Sequence, residues 1–117
     1  MAMLECYEPS PLAWRVLSRT ADAFMTVEDA DAVAVMNRLA RPAGSDPAIV
    51  AGESGGAGLA GAIRAATDVV IREKLGLGAA SRIFVVNTEG ATDPQRYAEL
   101  VGMYSEDVMT RARAARP

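Results

Sequence analysis

Residues 51–63 read AGESGGAGLAGAI, five glycines in thirteen positions running into an alanine-rich segment. The preceding residues Ala48-Ile49-Val50-Ala51 are too few and too apolar to alternate, and read as a buried strand. A strand, a glycine turn and a helix form the unit from which α/β folds are built. Two signatures overlap in the turn. Gly52-Glu53-Ser54-Gly55-Gly56 fits G-x-S-x-G, the turn that lifts a nucleophilic serine above a sheet. Gly56-Ala57-Gly58-Leu59-Ala60-Gly61 fits G-x-G-x-x-G, which cradles a dinucleotide pyrophosphate.

Neither signature has its partners. A serine hydroxyl needs a base within hydrogen-bond reach, and the chain contains no histidine. Lys74, the only lysine, lies in a charged helical turn where a solvated helix end is natural. A serine hydrolase using Ser54 is therefore a remote alternative. The dinucleotide fingerprint wants an acidic residue roughly twenty positions on, at the end of the next strand. Glu89 follows the next strand but at a much greater distance. Two readings of the glycines remain. They permit close helix packing and a tight turn, or they leave a helix N-terminus open to a phosphate or carboxylate.

Outward from this stretch, the chain punctuates itself with caps. Ser10-Pro11 starts a helix, in which Leu12, Val16 and Leu17 share one side. Phe24-Met25-Thr26-Val27 reads as a short strand. Thr26 with Asp29 approximates a capping box for the next helix, where Val33, Met36 and Leu39 form an apolar stripe. Pro42 to Pro47 is a loop. The helix after the glycines runs from about 57 to 67, Thr67-Asp68 breaks and recaps it, and the second piece stops near Gly76. Ser81 to Asn87 (SRIFVVN) is the best strand in the chain, closed by Asn87-Thr88-Glu89-Gly90. Thr92-Asp93-Pro94 starts another helix. Residues 105–117 are expected as an exposed C-terminal helix or tail, with 1–104 as the packed part.

Helices alternating with strands predict an α/β chain with a parallel sheet, a partial three-layer domain. Three short strands make a poor sheet by themselves, because a parallel sheet needs both faces covered. In open α/β sheets ligands collect beyond the carboxyl ends of the strands, so Gly52–Gly55 and Asn87–Gly90 would face one site.

Composition narrows the rest. At 117 residues there is room for one domain. The formal charge of −3 comes with no basic block, and the one basic cluster, Arg111, Arg113 and Arg116, reads as a solvated tail. Nucleic acid is not an expected partner. Cys6 is the single cysteine, excluding an internal disulfide and suiting a reducing compartment. No long apolar run or signal-like leader is present, so the expectation is a cytoplasmic chain without a membrane segment. No metal-ligand spacing is evident.

Three stretches taken together, LECYEPSPLAW (4–14), DPAIVAGESGGAGLAG (46–61) and FVVNTEGATDPQRY (84–97), resemble the C-terminal part of diaminopropionate ammonia-lyases. The resemblance covers roughly residues 4–102, and NTEGATDP is its most specific part. That family sits among the tryptophan-synthase-β-like, fold-type II enzymes that use pyridoxal 5′-phosphate (PLP). The resemblance implies α,β-elimination of 2,3-diaminopropionate, a small amino acid, to pyruvate and ammonia. It also implies that the Schiff-base lysine and the main phosphate loop lie upstream, outside this sequence.

Carried over residue by residue, Gly52, Glu53, Ser54 and Gly55 match the turn on the active-site side, and Gly56 stands where the family more often has alanine. Asn87, Thr88, Glu89 and Gly90 match the segment beside the pyridine ring. The family often has serine where Asn87 stands and aspartate where Ala91 stands. A hydroxyl partner leaves the ring nitrogen largely unprotonated, which favours Thr88 as the ring contact and points Glu89 toward a helix cap or a substrate amine. No catalytic residue is assigned to this chain, which is expected to be inactive alone. Its expected partner is the N-terminal portion of the enzyme or another copy in a homo-oligomer. The competing expectation is a non-enzymatic module that binds a partner chain, or a relic of the same fold.

Overall fold

The computed structural model describes residues 4–114. Six helices follow one another: α1 (Pro11–Thr20), α2 (Asp29–Ala40), α3 (Glu53–Thr67), α4 (Val69–Lys74), α5 (Pro94–Val101) and α6 (Ser105–Ala114). Their starts follow local chemistry. Ser10 accepts from the Ala13 N–H with Pro11 at the first position, Asp68 accepts from Ile71, and Asp93 accepts from Arg96 with Pro94 next in line. Helix α4 ends at Lys74, and Gly76 takes φ +64°, as the expected stop requires.

The expected partial three-layer parallel sheet of the tryptophan-synthase-β-like type does not form: among the described residues there is no strand. Residues 24–27, 48–51 and 82–87 lie in no helix, yet a strand exists only where a neighbour answers its backbone groups. A single backbone hydrogen bond joins 48–52 to 82–90, from the Gly52 N–H to the Glu89 carbonyl at 2.9 Å. The Ile49 N–H is taken instead by the Leu39 carbonyl at the end of α2. Residues 81–88 are exposed throughout.

The packed part is helical. Met36 and Ala40 of α2, Tyr97 and Val101 of α5 and Val108 of α6 form the core, with Ala48, Val50 and Ala91 against it. Two polar side chains of α2 and its end tie α5 to this cluster. Asn37 Nδ2 donates to the Leu100 carbonyl at 3.0 Å, and Arg41 Nη2 donates to the Val101 carbonyl at 2.8 Å. These satisfy carbonyls that the end of α5 leaves without intrahelical partners. The Tyr97 hydroxyl is buried without a hydrogen-bond partner. Burial pushes its pKa up, and the nearby Arg41 charge pulls the other way.

Several finer expectations shift. The buried stripe of α2 is Ala32, Val35, Met36 and Ala40, rotated from Val33, Met36 and Leu39, of which only Met36 is fully buried. The cap of α2 is Glu28, whose N–H donates to Asp31 Oδ2 at 3.0 Å, rather than Thr26. Helix α3 begins at Glu53, so most of the glycines lie inside it instead of in a turn before it. Helix α6 is exposed along much of its length, but Ser105 and Val108 are buried and anchor it to the core. Arg111 and Arg113 lie on its exposed side, while Arg116 falls outside the described residues.

Helix α1 buries nothing at all. The chain exposes 8547 Å², against about 6,100 Å² for a folded protein of its 12.3 kDa mass. The radius of gyration, 15.6 Å, exceeds the roughly 13.4 Å of a compact domain of this length.

Candidate functional site

The glycine stretch becomes the first two-thirds of a helix, and its spacing explains why. Gly52, Gly55, Gly58 and Gly61 recur every third residue, a row that winds around α3, and other segments of the chain approach it along its length. A methyl group on Gly61 would lie 3.3 Å from Met25 Sδ, and one on Gly58 would lie 3.9 Å from Val85 Cβ. On Gly55 it would collide with Asn87 Oδ1 and the Glu89 carbonyl oxygen. On Gly52 it would collide with the Gly90 carbonyl oxygen, with Glu89 Cδ at 2.8 Å. At Gly52 and Gly55, only residues without a side chain let segment 87–90 descend this far onto the helix. Gly56 faces the other way, toward Val35 of α2.

The descent places Glu89 at the start of α3. The Gly52 N–H donates to the Glu89 carbonyl, and the Ser54 N–H donates to Glu89 Oε2, both at 2.9 Å. A helix N-terminus carries free N–H groups and a partial positive charge. Here the anion that answers them belongs to the chain. The phosphate or carboxylate cradle considered for this turn is thus filled by Glu89. We expect Glu89→Ala to destabilise the chain by about 1–2 kcal/mol, as loss of an N-terminal cap does. Glu89→Gln keeps an acceptor and should lose less; denaturant melts of both variants check the order.

The eight residues singled out in the sequence lie at this one junction, with different roles. Gly52 caps α3 from a buried position; Glu53 is 5% exposed in the first turn; Ser54 and Gly55 complete that turn. Asn87 is engaged inside the chain: its Nδ2 donates to the Val50 carbonyl at 3.0 Å, and its Oδ1 sits over Gly55. Thr88 is exposed at the edge. The cavity beside Gly52, Glu53, Glu89 and Gly90 offers about 20 Å³, enough to admit a water by the roughly 10–15 Å³ that one needs.

Other candidates stay apart. Ser54 lies within a regular helix, and no described residue other than glycine has a positive φ, so the strained turn of a nucleophilic serine is absent. Lys74 is exposed at the end of α4. Cys6 is free and exposed. No cluster of three metal-ligating side chains occurs among the described residues, and none of their helices is long and apolar enough to cross a membrane. What the sequence reading missed is the contribution of Met25 and Val85, which rest on Gly61 and Gly58. The signal was the three-residue glycine period, hidden beneath the overlapping motifs.

No family model matches the chain, and no solved structure matches it significantly. It is similar in sequence to curated proteins, however. Over 106 residues it is 40% identical to the diaminopropionate ammonia-lyases of two Escherichia coli strains, covering 86% of this chain and 26% of each relative. Over 105 residues it is 29% identical to the diaminopropionate ammonia-lyase of Salmonella typhimurium, with the same two coverages of 86% and 26%. The match falls on the C-terminal part of the Escherichia coli protein. The chain thus spans about a quarter of the length of the curated relatives it matches.

Proposed function

We propose that this chain serves as the C-terminal part of a PLP-dependent diaminopropionate ammonia-lyase, contributing one wall of the site that eliminates ammonia from 2,3-diaminopropionate to give pyruvate. The observation that carries this reading is the 40% identity over 86% of the chain to lyases of that name.

The chain's own residues do not fit PLP by themselves. The Ser54 N–H at the junction already serves Glu89, and the single lysine stands exposed on α4. The elimination therefore belongs to a site completed by the portion of the lyase that precedes the matched stretch, and this chain alone is inactive. Its offered contact is Thr88. Asn87 spends its amide on Val50 and on the packing over Gly55, whereas Thr88 is exposed beside the junction that Glu89 clamps. A hydroxyl there supplies a neutral hydrogen-bond partner, the kind that leaves a ring nitrogen unprotonated.

A hybrid tests this: the Escherichia coli lyase with its matched C-terminal quarter replaced by this chain. The hybrid should release ammonia from 2,3-diaminopropionate, and the isolated chain should not. Thr88→Val in the hybrid should lower turnover roughly tenfold, the cost of one lost polar contact to a charged or reacting group. A folded hybrid that binds PLP but releases no ammonia would defeat the proposal.

A further inference from the structure

The largest feature that the junction does not use is a bare apolar face. Its parts are linked through α3. Trp14 of α1 meets Phe24 with ring centroids 6.2 Å apart, Met25 rests on Gly61, Val85 rests on Gly58 one helical turn back, and Asn87 reaches Val50. The inner side of this extended layer lies on α3. Its outer side has nothing on it: Phe84 is 88% exposed and Leu12, Trp14, Phe24 and Val86 are all more than half exposed.

The amount of surface says what kind of contact is missing. The chain exposes roughly 2,400 Å² beyond what its mass predicts. A standard protein–protein interface takes only about 800 Å² from each partner. An excess about three times as large matches a permanent contact, in which a domain core has been divided.

We propose that this face, from Trp14 and Phe24 to Phe84 and Val86, is the docking surface for the portion of a diaminopropionate ammonia-lyase that precedes the matched stretch. The occupant follows from length, since the chain spans 26% of each relative and about three quarters remain to cover it. The inference rests on the reading of the chain as part of such a lyase. The partner surface is mainly aliphatic and aromatic, with a place for the exposed Arg82 near Phe84. The Glu89 cap on α3 is not part of the contact, since the N–H groups of Gly52 and Ser54 are already answered within the chain.

Phe84→Asp separates docking from internal packing. In the isolated chain, where Phe84 is solvent-exposed, the substitution should move the thermal midpoint by less than about 2 °C. In the hybrid lyase it should lower the midpoint by roughly 5 °C or more, the shift that burying an uncompensated charge produces, or remove the protein from the soluble fraction. Equal tolerance in both contexts overturns the proposal, and so does an equal loss in both, which would place Phe84 inside this chain's own packing. Sedimentation of the isolated chain supplies the other arm. A stable dimer broken by Phe84→Asp would make a second copy the occupant and overturn it as well. A stable, Phe84-dependent hybrid that releases no ammonia would leave the docking surface standing and remove the catalytic reading.

Discussion

Gly55→Ala is expected to cost about 3 kcal/mol, at the upper end for overpacking, while Gly58→Ala, three residues further along the same helix face, is expected to gain roughly 0.5–1 kcal/mol. The two substitutions are chemically identical, and their opposite signs follow from what lies above each residue. Over Gly55 are the Glu89 carbonyl and the Asn87 amide oxygen. Neither moves freely: Glu89 is held twice by α3, through its carbonyl and its carboxylate, and Asn87 is tied to Val50. A new methyl group must therefore push the whole 87–90 segment off the helix, and the cap on Ser54 goes with it. Over Gly58 the nearest atoms are those of Val85, at 3.9 Å, an ordinary contact distance. There alanine brings its better helix propensity at no steric cost. Urea denaturation of both variants, compared with the parent, gives the two signs directly. Equal effects would mean that the extended segment does not rest on α3.

Met36→Ala is expected to cost about 2–5 kcal/mol, the range for truncating a large buried side chain. Met36 is 1% exposed and is one of the two largest fully buried side chains. It stands where α2, α5 and α6 meet, against Ala40, Tyr97, Val101 and Val108. The cluster is small, so no second layer of side chains can collapse into the space. Met36→Leu preserves most of the volume and should cost less than about 1.5 kcal/mol. Loss of near-ultraviolet circular dichroism from Tyr97 on cooperative unfolding follows both variants. If alanine and leucine prove equivalent, the cluster is not what holds these helices together.

Helix starts were legible because a cap is a local matter. Ser10, Asp68 and Asp93 each bond within three residues, and each lies where serine or aspartate before a helical run predicts. The extended stretches were legible only as extended. SRIFVVN has the composition of a strand, but strand formation depends on residues elsewhere, and only Glu89 finds a backbone partner across from it. Non-local pairing is not encoded within the stretch itself, which is why an α/β sheet was expected and a helical structure with bare extended segments was found. The meeting of Gly52–Gly55 with Asn87–Gly90 was legible as the approach of two segment ends. Their roles were not, because Glu89 acts as a cap through a fold-dependent approach 35 residues away from Ser54.

The bare face has a consequence for abundance in a cell. Quality-control chaperones and proteases respond to exposed apolar side chains, and α1, with no buried residue, offers them an early handle. A chain of this kind survives in proportion to whatever covers it. Its steady-state level should follow the supply of its partner and be indifferent to its own rate of synthesis, so that any surplus made is surplus destroyed.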